Sequence, residues 1–170
     1  MQQALKITTA ENYPAAPLRG TVGVDLWIVL ESALDEWRSR FRQNRIILEE
    51  HLHPSIGDAA CRDPFLLKAA LGHLLRNALE ATRPHGRVGF YARRNEEDRI
   101  EIGIVDSGSG IDPHHLGRIL LPLFSTKEGH AGLGLNVASD YLAQYGATLR
   151  IESVLGEGTT AEIVLPAYTE

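Results

Sequence analysis

The sequence predicts an α+β fold of two layers, in which a mixed and mostly antiparallel sheet is covered on one face by three helices. Three segments place apolar residues at the spacing of a helix that buries one side. About five to seven shorter segments have strand character, and most are joined in pairs by short polar turns, which favours antiparallel hairpins. A chain of 170 residues that is 44% hydrophobic can close one core, so we expect a single domain.

The chain opens with a segment that lacks a sustained period. Residues 1–20 contain two prolines and end in glycine, and we expect them to form a linker or a disordered arm. The predicted domain covers residues 21–168. Within it, helical spacing is found at 27–44, 64–83 and about 133–145, and strand character at 21–27, 45–50, 55–61, 87–94, 98–106, 147–154 and 159–166.

Capping and breaking residues support these assignments. Asp63 and Pro64 are typical of a helix N-cap followed by a proline in the first turn, and Gly146 is typical of a helix end. Residues 107–131 hold several glycines and two prolines and show no period. That is long for a loop in a small domain, and long loops are often functional.

Composition excludes several classes of function. The net charge is -5 and the pI is near 5.8, which argues against general electrostatic binding to nucleic acid or acidic lipid, since that would need a basic face. Cys61 is the only cysteine, which suits a reducing compartment. No apolar run approaches the roughly 20 residues that a membrane helix needs, and the first residues do not have the pattern of a signal peptide. We therefore expect a cytoplasmic domain, alone or as the cytoplasmic part of a membrane-anchored sensor.

Asp106 is the first candidate for chemistry. It ends a predicted strand and is followed by Gly108 and Gly110. A carboxylate accepts hydrogen bonds, so it would hold an exocyclic amine or a water molecule at the wall of a pocket. Glycines directly after it would let a flat ligand lie against the backbone. The alternative is a simple tight turn, since Asp, Ser and Gly are ordinary turn residues.

A polar stripe on the second helix is the next candidate. His73, Asn77 and Glu80 fall on one side of a helix that otherwise carries apolar residues. A half-buried asparagine is costly unless its amide finds partners in the protein or in a ligand. The amide oxygen of Asn77 suits Mg²⁺, which prefers oxygen and is often held by one protein group plus substrate phosphates. The alternative is an amphipathic helix with a solvated polar edge.

A glycine-rich segment leads into the third helix. Gly129, Gly132 and Gly134 stand directly before or at its start, where free N–H groups suit a phosphate. The segment is neither a Walker A loop nor a clean dinucleotide fingerprint. Lys127, just upstream, would add a positive charge to the same phosphates, although a solvated lysine is the common alternative.

In this order, the motifs resemble the catalytic ATP-binding domain of sensor histidine kinases. The segment "NALEA" resembles the form found in nitrogen-regulatory-type kinases. The superfamily also holds DNA gyrase, heat-shock chaperone and mismatch-repair ATPases. The resemblance runs from Gly20 to Pro166. "HLLRNALEA" resembles the N box, "DSGSGI" the first glycine box, "LPLFSTK" the F box, "GLGL" the second glycine box and "GEGTTAEIVLP" the last glycine and threonine motif.

The resemblance implies the Bergerat fold, binding of ATP with Mg²⁺, and a mobile lid over the nucleotide that includes Phe124 and Lys127. It implies Asn77 as the group that holds Mg²⁺ against the phosphates, and Asn77, His73 and Lys127 as the catalytic candidates. It implies Asp106 as the partner of the adenine amino group. The remaining nucleotide-binding positions that it implies are Gly108, Gly110, Ile111, Phe124, Gly132, Leu133, Gly134, Leu135, Thr159, Thr160, Glu80 and Ala81.

Some positions depart from the family pattern. His73 stands where the hydrolysing relatives have a glutamate that activates water as a general base, which disfavours a dedicated ATPase. Glu80 stands where many members have Lys or Gln, and Ala131 replaces a frequent Thr or Ser. No histidine fits the phosphoacceptor pattern, so we expect the acceptor on a separate helical hairpin.

Three functions stay open at this point. The first is a kinase domain that donates the γ-phosphate of ATP to a histidine on a dimerisation domain, with a response regulator downstream. The second is an ATP-driven clamp of the gyrase or chaperone type. The third is a degenerate nucleotide-sensing scaffold. For the kinase domain, we expect the isolated domain to be a monomer without nucleic-acid or direct membrane contact.

Overall fold

A computed structural model describes residues 4–9, 23–119, 121, 134–144 and 146–166. Its main sheet has six strands in the order β1-β7-β8-β6-β5-β3, and β2 and β4 form a separate pair. The strands are β1 (Leu5–Thr8), β2 (Val24–Asp25), β3 (Ile47–Leu52), β4 (Ala60–Cys61), β5 (Arg87–Arg94), β6 (Arg99–Asp106), β7 (Thr148–Val154) and β8 (Gly158–Pro166). The helices are α1 (Leu26–Gln43), α2 (Pro64–Ala81), α3 (Pro113–Leu116) and α4 (Gly134–Gln144), with a 3₁₀ turn at Pro54–Ile56.

The sheet is mixed and mostly antiparallel, so this prediction is confirmed. In the described part of the chain, β3 and β5 run parallel and the other neighbouring strands of the main sheet are antiparallel. Parallel neighbours need a long crossover connection, and α2 lies in the one between β3 and β5. The hairpins β5–β6 and β7–β8 lie where the alternating sequence and its polar turns predict them.

One face of the sheet carries the core. Phe90, Ile102 and Ile163 are buried on neighbouring strands and point to the same side, because residues two apart along a strand share a face. Buried residues of α1, α2 and α4 belong to the same hydrophobic cluster, so these three helices cover that face, as predicted. The aliphatic residues of the helices repeat at intervals of three and four, which is why one side of each helix is apolar.

Caps fix where the two long helices begin. The side chain of Asp25 accepts a hydrogen bond from the N–H of Trp27, and that of Asp63 accepts one from the N–H of Leu66. Pro64 follows Asp63 at the first helical position, where its missing N–H costs nothing. The start of α2 therefore agrees with its sequence signature. Within the described ranges, no helix combines the length and apolar character needed to cross a bilayer.

Three expectations are corrected. Residues 1–20 were expected to form a linker, but Leu5–Thr8 form β1, an edge strand antiparallel to β7. Four residues are too few to show a period, and their order comes from pairing with a distant strand. Residues 10–22 lie outside the described part. The irregular stretch 107–131 contains the short helix α3. In the described part of the strand expected at 21–27, only Val24–Asp25 form a strand, because α1 begins at Leu26.

Candidate functional site

Asp106 is the last residue of β6 and lies on the face of the strand that points to the core. The residue is 8% exposed. Its Oδ1 accepts hydrogen bonds from the main-chain N–H of Gly108, at 2.8 Å, and of Thr159, at 3.3 Å. The carboxylate is therefore fixed by the turn that follows it and by the neighbouring strand β8. An acceptor held in this way can receive a hydrogen bond from a ligand at the end of the sheet.

The loop after Asp106 is fastened to the end of α2. The N–H of Ser109 donates to the carbonyl oxygen of Ala81 over 3.2 Å. A Cβ on Gly108 would lie 2.6 Å from that same oxygen, and a Cβ on Gly110, where φ is +66°, would lie 2.1 Å from the carbonyl oxygen of Val154. These two glycines are thus required by the close approach of the protein's own backbone. The expectation that they also let a flat ligand lie against the backbone stays a prediction.

The turn between β7 and β8 holds the other side of this loop. The N–H of Gly156 donates to the carbonyl oxygen of Ser109 over 2.7 Å, and the N–H of Ile111 donates to the hydroxyl of Ser153 over 2.9 Å. Residues 107–111 therefore run between the end of α2 and the β7–β8 hairpin. The predicted adenine loop is bound to protein on both sides.

The structure distinguishes the two candidate threonines. Thr159 is the ladder partner of Asp106 and Thr160 is the partner of Val105. Because side chains alternate along a strand, Thr159 lies on the face of Asp106 and Thr160 lies on the opposite face. The structure therefore brings Thr159 into the site and leaves Thr160 outside it.

Asn77 and Ala81 share one face of α2, since they are four residues apart. Ala81 contacts the loop that follows Asp106, so Asn77 lies one helical turn from that contact. Both Asn77 and Glu80 are exposed. The expectation of a half-buried Asn77 is wrong, because its amide is open to solvent or to a ligand. An exposed amide oxygen fits Mg²⁺, which accepts a single protein oxygen together with phosphate oxygens.

His73 is half-buried, two turns before Ala81 on α2. Its pKa is lowered from the ordinary value of 6.5, first by burial and second by the positive charge of Arg76. At neutral pH the imidazole is therefore uncharged. A buried ring with a lowered pKa takes up a proton less readily than an ordinary exposed histidine.

A family model described as histidine kinase-, DNA gyrase B- and HSP90-like ATPase matches residues 62–169. The chain belongs to this ATPase family. The matched range contains the end of α2, the Asp106 loop and the β7–β8 hairpin, which are the parts that the structure brings together.

Two relatives are sensory kinases. "Sensor histidine kinase ZraS" of Salmonella typhimurium is 36% identical over 104 residues, which are 61% of this chain and 22% of the relative. "Adaptive-response sensory kinase SasA" of Synechococcus elongatus is 31% identical over 145 residues, which are 82% of this chain and 36% of the relative. The chain thus spans only a part of the length of these relatives.

Solved structures of histidine kinases share the fold. A "Mycobacterial sensor histidine kinase MprB" structure has a TM-score of 0.72 and 26% identity, and the match covers 89% of this chain and 100% of that one. The catalytic domain of histidine kinase ThkA has a TM-score of 0.75 and 20% identity, with 86% and 95% covered. The predicted resemblance and the α+β fold class of the family are therefore confirmed.

The second glycine box is described only in part. Among the described residues α4 runs over Gly134–Gln144, within the helix predicted at about 133–145, and Leu135 is half-buried and packs against the hydrophobic core. Ile111 is half-buried against the same core. The other predicted nucleotide-binding and lid residues of this region lie outside the described residues, namely Phe124, Lys127, Gly132 and Leu133.

Ser153 is a residue of this site that the sequence analysis missed. It is 4% exposed and bonds to the Asp106 loop and to β8 at once. Its signal in the sequence is the alternation of β7, where Leu149 and Ile151 face the core and Ser153 continues the same face. A serine at the inward end of an apolar strand needs polar partners, and those partners lie in the site.

Proposed function

We propose that this chain binds ATP with Mg²⁺ and acts as the catalytic domain of a sensor histidine kinase. The observation that carries the proposal is the placement of Asp106, whose carboxylate accepts hydrogen bonds from one N–H of the following loop and one of β8, while that loop is bonded to the end of α2. A buried carboxylate in that position suits the amino group of adenine. Membership of a histidine kinase-like ATPase family supports ATP as the nucleotide.

Asn77 is the proposed contact of the protein with Mg²⁺. When bound, Mg²⁺ would neutralise negative charge on the triphosphate and orient it. The exposed amide of Asn77 lies on the helix face that leads to Ala81 and the Asp106 loop, so one helix would serve both ends of the nucleotide. Backbone N–H groups of Gly132, Leu133 and Gly134 and the ammonium group of Lys127 are the proposed donors to the phosphates.

The proposed acceptor is a histidine on a helical dimerisation domain, from which a response regulator would take the phosphate. The relatives named as sensory kinases are longer than this chain, which is consistent with further domains that carry such an acceptor. Phosphoryl transfer depends mainly on positioning and charge neutralisation, so an ATP-binding domain can supply the donor half of the reaction.

His73 favours transfer over hydrolysis. Rapid hydrolysis needs a general base whose pKa matches its task. By the family resemblance, His73 stands where hydrolysing relatives have a glutamate that activates water, and burial and the charge of Arg76 lower the pKa of the His73 ring below that of an ordinary histidine. We therefore rank a histidine kinase domain above an ATP-driven clamp.

The test follows the γ-phosphate. The chain is incubated with Mg²⁺ and γ-labelled ATP, and purified helical hairpin domains that carry a histidine followed by an acidic residue are supplied in trans. We expect label on a cognate hairpin and slow release of free phosphate. Asn77→Ala should lower the rate of label transfer by at least about 100-fold, because the group that positions the metal is lost.

The matched control is Asn44→Ala, which removes an exposed asparagine amide at the end of α1. It should leave label transfer unchanged. If the folded wild-type chain takes up no ATP in the presence of Mg²⁺ by calorimetry, the proposal is wrong. Rapid release of free phosphate without transfer to any hairpin would instead support the ATPase clamp.

A further inference from the structure

The hydroxyl of Ser153 lies at the centre of three polar contacts. Its Oγ is 2.9 Å from the N–H nitrogen of Ile111, 2.9 Å from the carbonyl oxygen of Gly158 and 2.9 Å from the hydroxyl oxygen of Thr159. Ser153 is 4% exposed, so protein groups rather than bulk water set the direction of its hydrogen. The three partners belong to the Asp106 loop and to β8.

The chemistry of these partners fixes where each hydrogen points. A hydroxyl has one hydrogen and two lone pairs. The main-chain N–H of Ile111 can only donate and the carbonyl of Gly158 can only accept, so Ser153 accepts from the first and donates to the second. Its second lone pair is then left for Thr159. In the contact between the two hydroxyls, Thr159 is therefore the donor.

This arrangement leaves two hydrogen-bond acceptors, and no hydroxyl donor, at this end of the sheet. Once the hydrogen of Thr159 points at Ser153, the Thr159 oxygen offers only lone pairs to any other group. Its ladder partner is Asp106, whose carboxylate also accepts hydrogen bonds. Two acceptors thus stand side by side. A ligand group facing them must be a donor, such as the exocyclic amine of an aminopurine, whereas the carbonyl oxygen of an oxopurine would meet lone pairs.

We propose that Ser153 is a specificity-determining residue that acts by orienting the Thr159 hydroxyl, so that the site selects a 6-aminopurine nucleotide over a 6-oxopurine nucleotide. The inference rests on the proposed function, since it requires that a purine nucleotide binds beside Asp106. Ser153 does not itself touch the base and is a positioning residue.

The test compares the dissociation constants of Mg²⁺-ATP and Mg²⁺-ITP, which differ at the 6-position of the purine. Ser153→Ala frees the Thr159 hydroxyl to turn its hydrogen toward a 6-oxo group. We expect the preference for ATP over ITP to fall by about fivefold, the worth of one ordinary hydrogen bond. Ser153→Thr keeps a hydroxyl and should retain most of the preference. In a Thr159→Val background, Ser153→Ala should cause no further change in the ratio, because its target is gone.

If Ser153→Ala weakens the binding of ATP and ITP equally, the ratio of their dissociation constants is unchanged. That result would assign Ser153 a purely structural role and overturn the inference. Ser153→Cys provides a second route if the alanine variant does not fold, since a thiol is close in size but a weak donor and acceptor, and the ratio should fall toward that of alanine. The two proposals fail differently. A wild-type chain that binds neither nucleotide contradicts the proposed function, and a wild-type chain that prefers ATP while both variants keep that preference contradicts only the role of Ser153.

Discussion

Strand β6 carries two buried carboxylates that differ in their partners. Glu101 and Asp106 are each 8% exposed, and because they are five residues apart they lie on opposite faces of the sheet. Glu101 accepts hydrogen bonds from the side chains of Arg93, at 2.9 Å, and Asn95, at 3.0 Å. Asp106 accepts hydrogen bonds from main-chain N–H groups of the loop and strand around it. Equal burial therefore accompanies two different environments.

The environment of Glu101 is that of a structural ion pair. Burial acts to raise the pKa of Glu101, but the hydrogen bonds from Asn95 and Arg93 outweigh it and the pKa is lowered overall. Nearby, the Tyr91 hydroxyl donates to Glu162 over 2.6 Å, and the Arg93 guanidinium lies 5.5 Å from the centre of the Tyr91 ring. On this outward face of the sheet, the polar side chains are therefore hydrogen-bonded to one another.

The difference shows that burial of an acid does not by itself mark a functional site. Glu101 lies near the β5–β6 turn at the other end of β6, where flexible side chains reach its carboxylate. Asp106 lies where the strand ends, beside a loop whose backbone is tied to α2 and to the β7–β8 hairpin. A carboxylate held by rigid main-chain donors at the edge of the core is suited to a ligand, and its replacement should affect binding more than stability.

The largest effect expected from this comparison is on nucleotide binding. Asp106→Asn should weaken the binding of Mg²⁺-ATP by about 10- to 100-fold, because a hydrogen bond to a charged group is replaced by one to a neutral amide that presents donors as well. Glu101→Gln should change the dissociation constant by less than about twofold. Calorimetric titration of both variants checks this. Similar losses in the two variants would remove the distinction between the two acids.

The next effect is on stability. Glu101→Gln should lower the free energy of unfolding at pH 7 by about 1 kcal/mol, since a partly exposed ion pair with Arg93 loses its charge. Because the folded-state pKa of Glu101 lies below the ordinary value of 4.5, the stabilisation is present above pH 4.5 and is lost as the pH falls through the folded-state value. Urea unfolding should show the variant and the wild type converging in acid. A constant difference at all pH values would mean that the charge is not the cause.

The smallest effect concerns His73. Its pKa is lower in the folded protein than the ordinary 6.5, so the unfolded chain binds a proton more readily and the free energy of unfolding decreases as the pH falls below 6.5. His73→Gln should remove that part of the pH dependence. His51→Gln, at an exposed histidine on β3, is the control and should retain it. Thermal unfolding between pH 5 and pH 8 measures both slopes, and identical slopes in the two variants would contradict the assignment.

Local sequence signals predicted much of the fold. The cap at Asp63, the apolar repeat of α2 and the alternation of β5 and β6 each depend on neighbours in the chain, and each matches the structure. Asp106 was identified because a strand pattern ends there and glycines follow. The family resemblance supplied the order of the motifs, and the family match agrees with it.

Long-range contacts explain what the sequence did not predict. The hydrogen bond between Ile111 and Ser153 joins residues that are 42 positions apart in the chain, so no local sequence pattern predicts it. The choice between Thr159 and Thr160 depends on strand register, and a shift of one residue reverses the face of every side chain. Strand β1 depends on pairing with β7, and its four residues carry no period of their own.

Strand β1 also protects its neighbour. In the main sheet it covers the outer side of β7, from the pair of Leu5 and Ser153 to the pair of Thr8 and Arg150. A shortened protein that began near residue 23 would leave the hydrogen-bonding groups along that side of β7 without their partner strand. An open strand of this kind recruits strands from other molecules, so the shortened form would be prone to self-association.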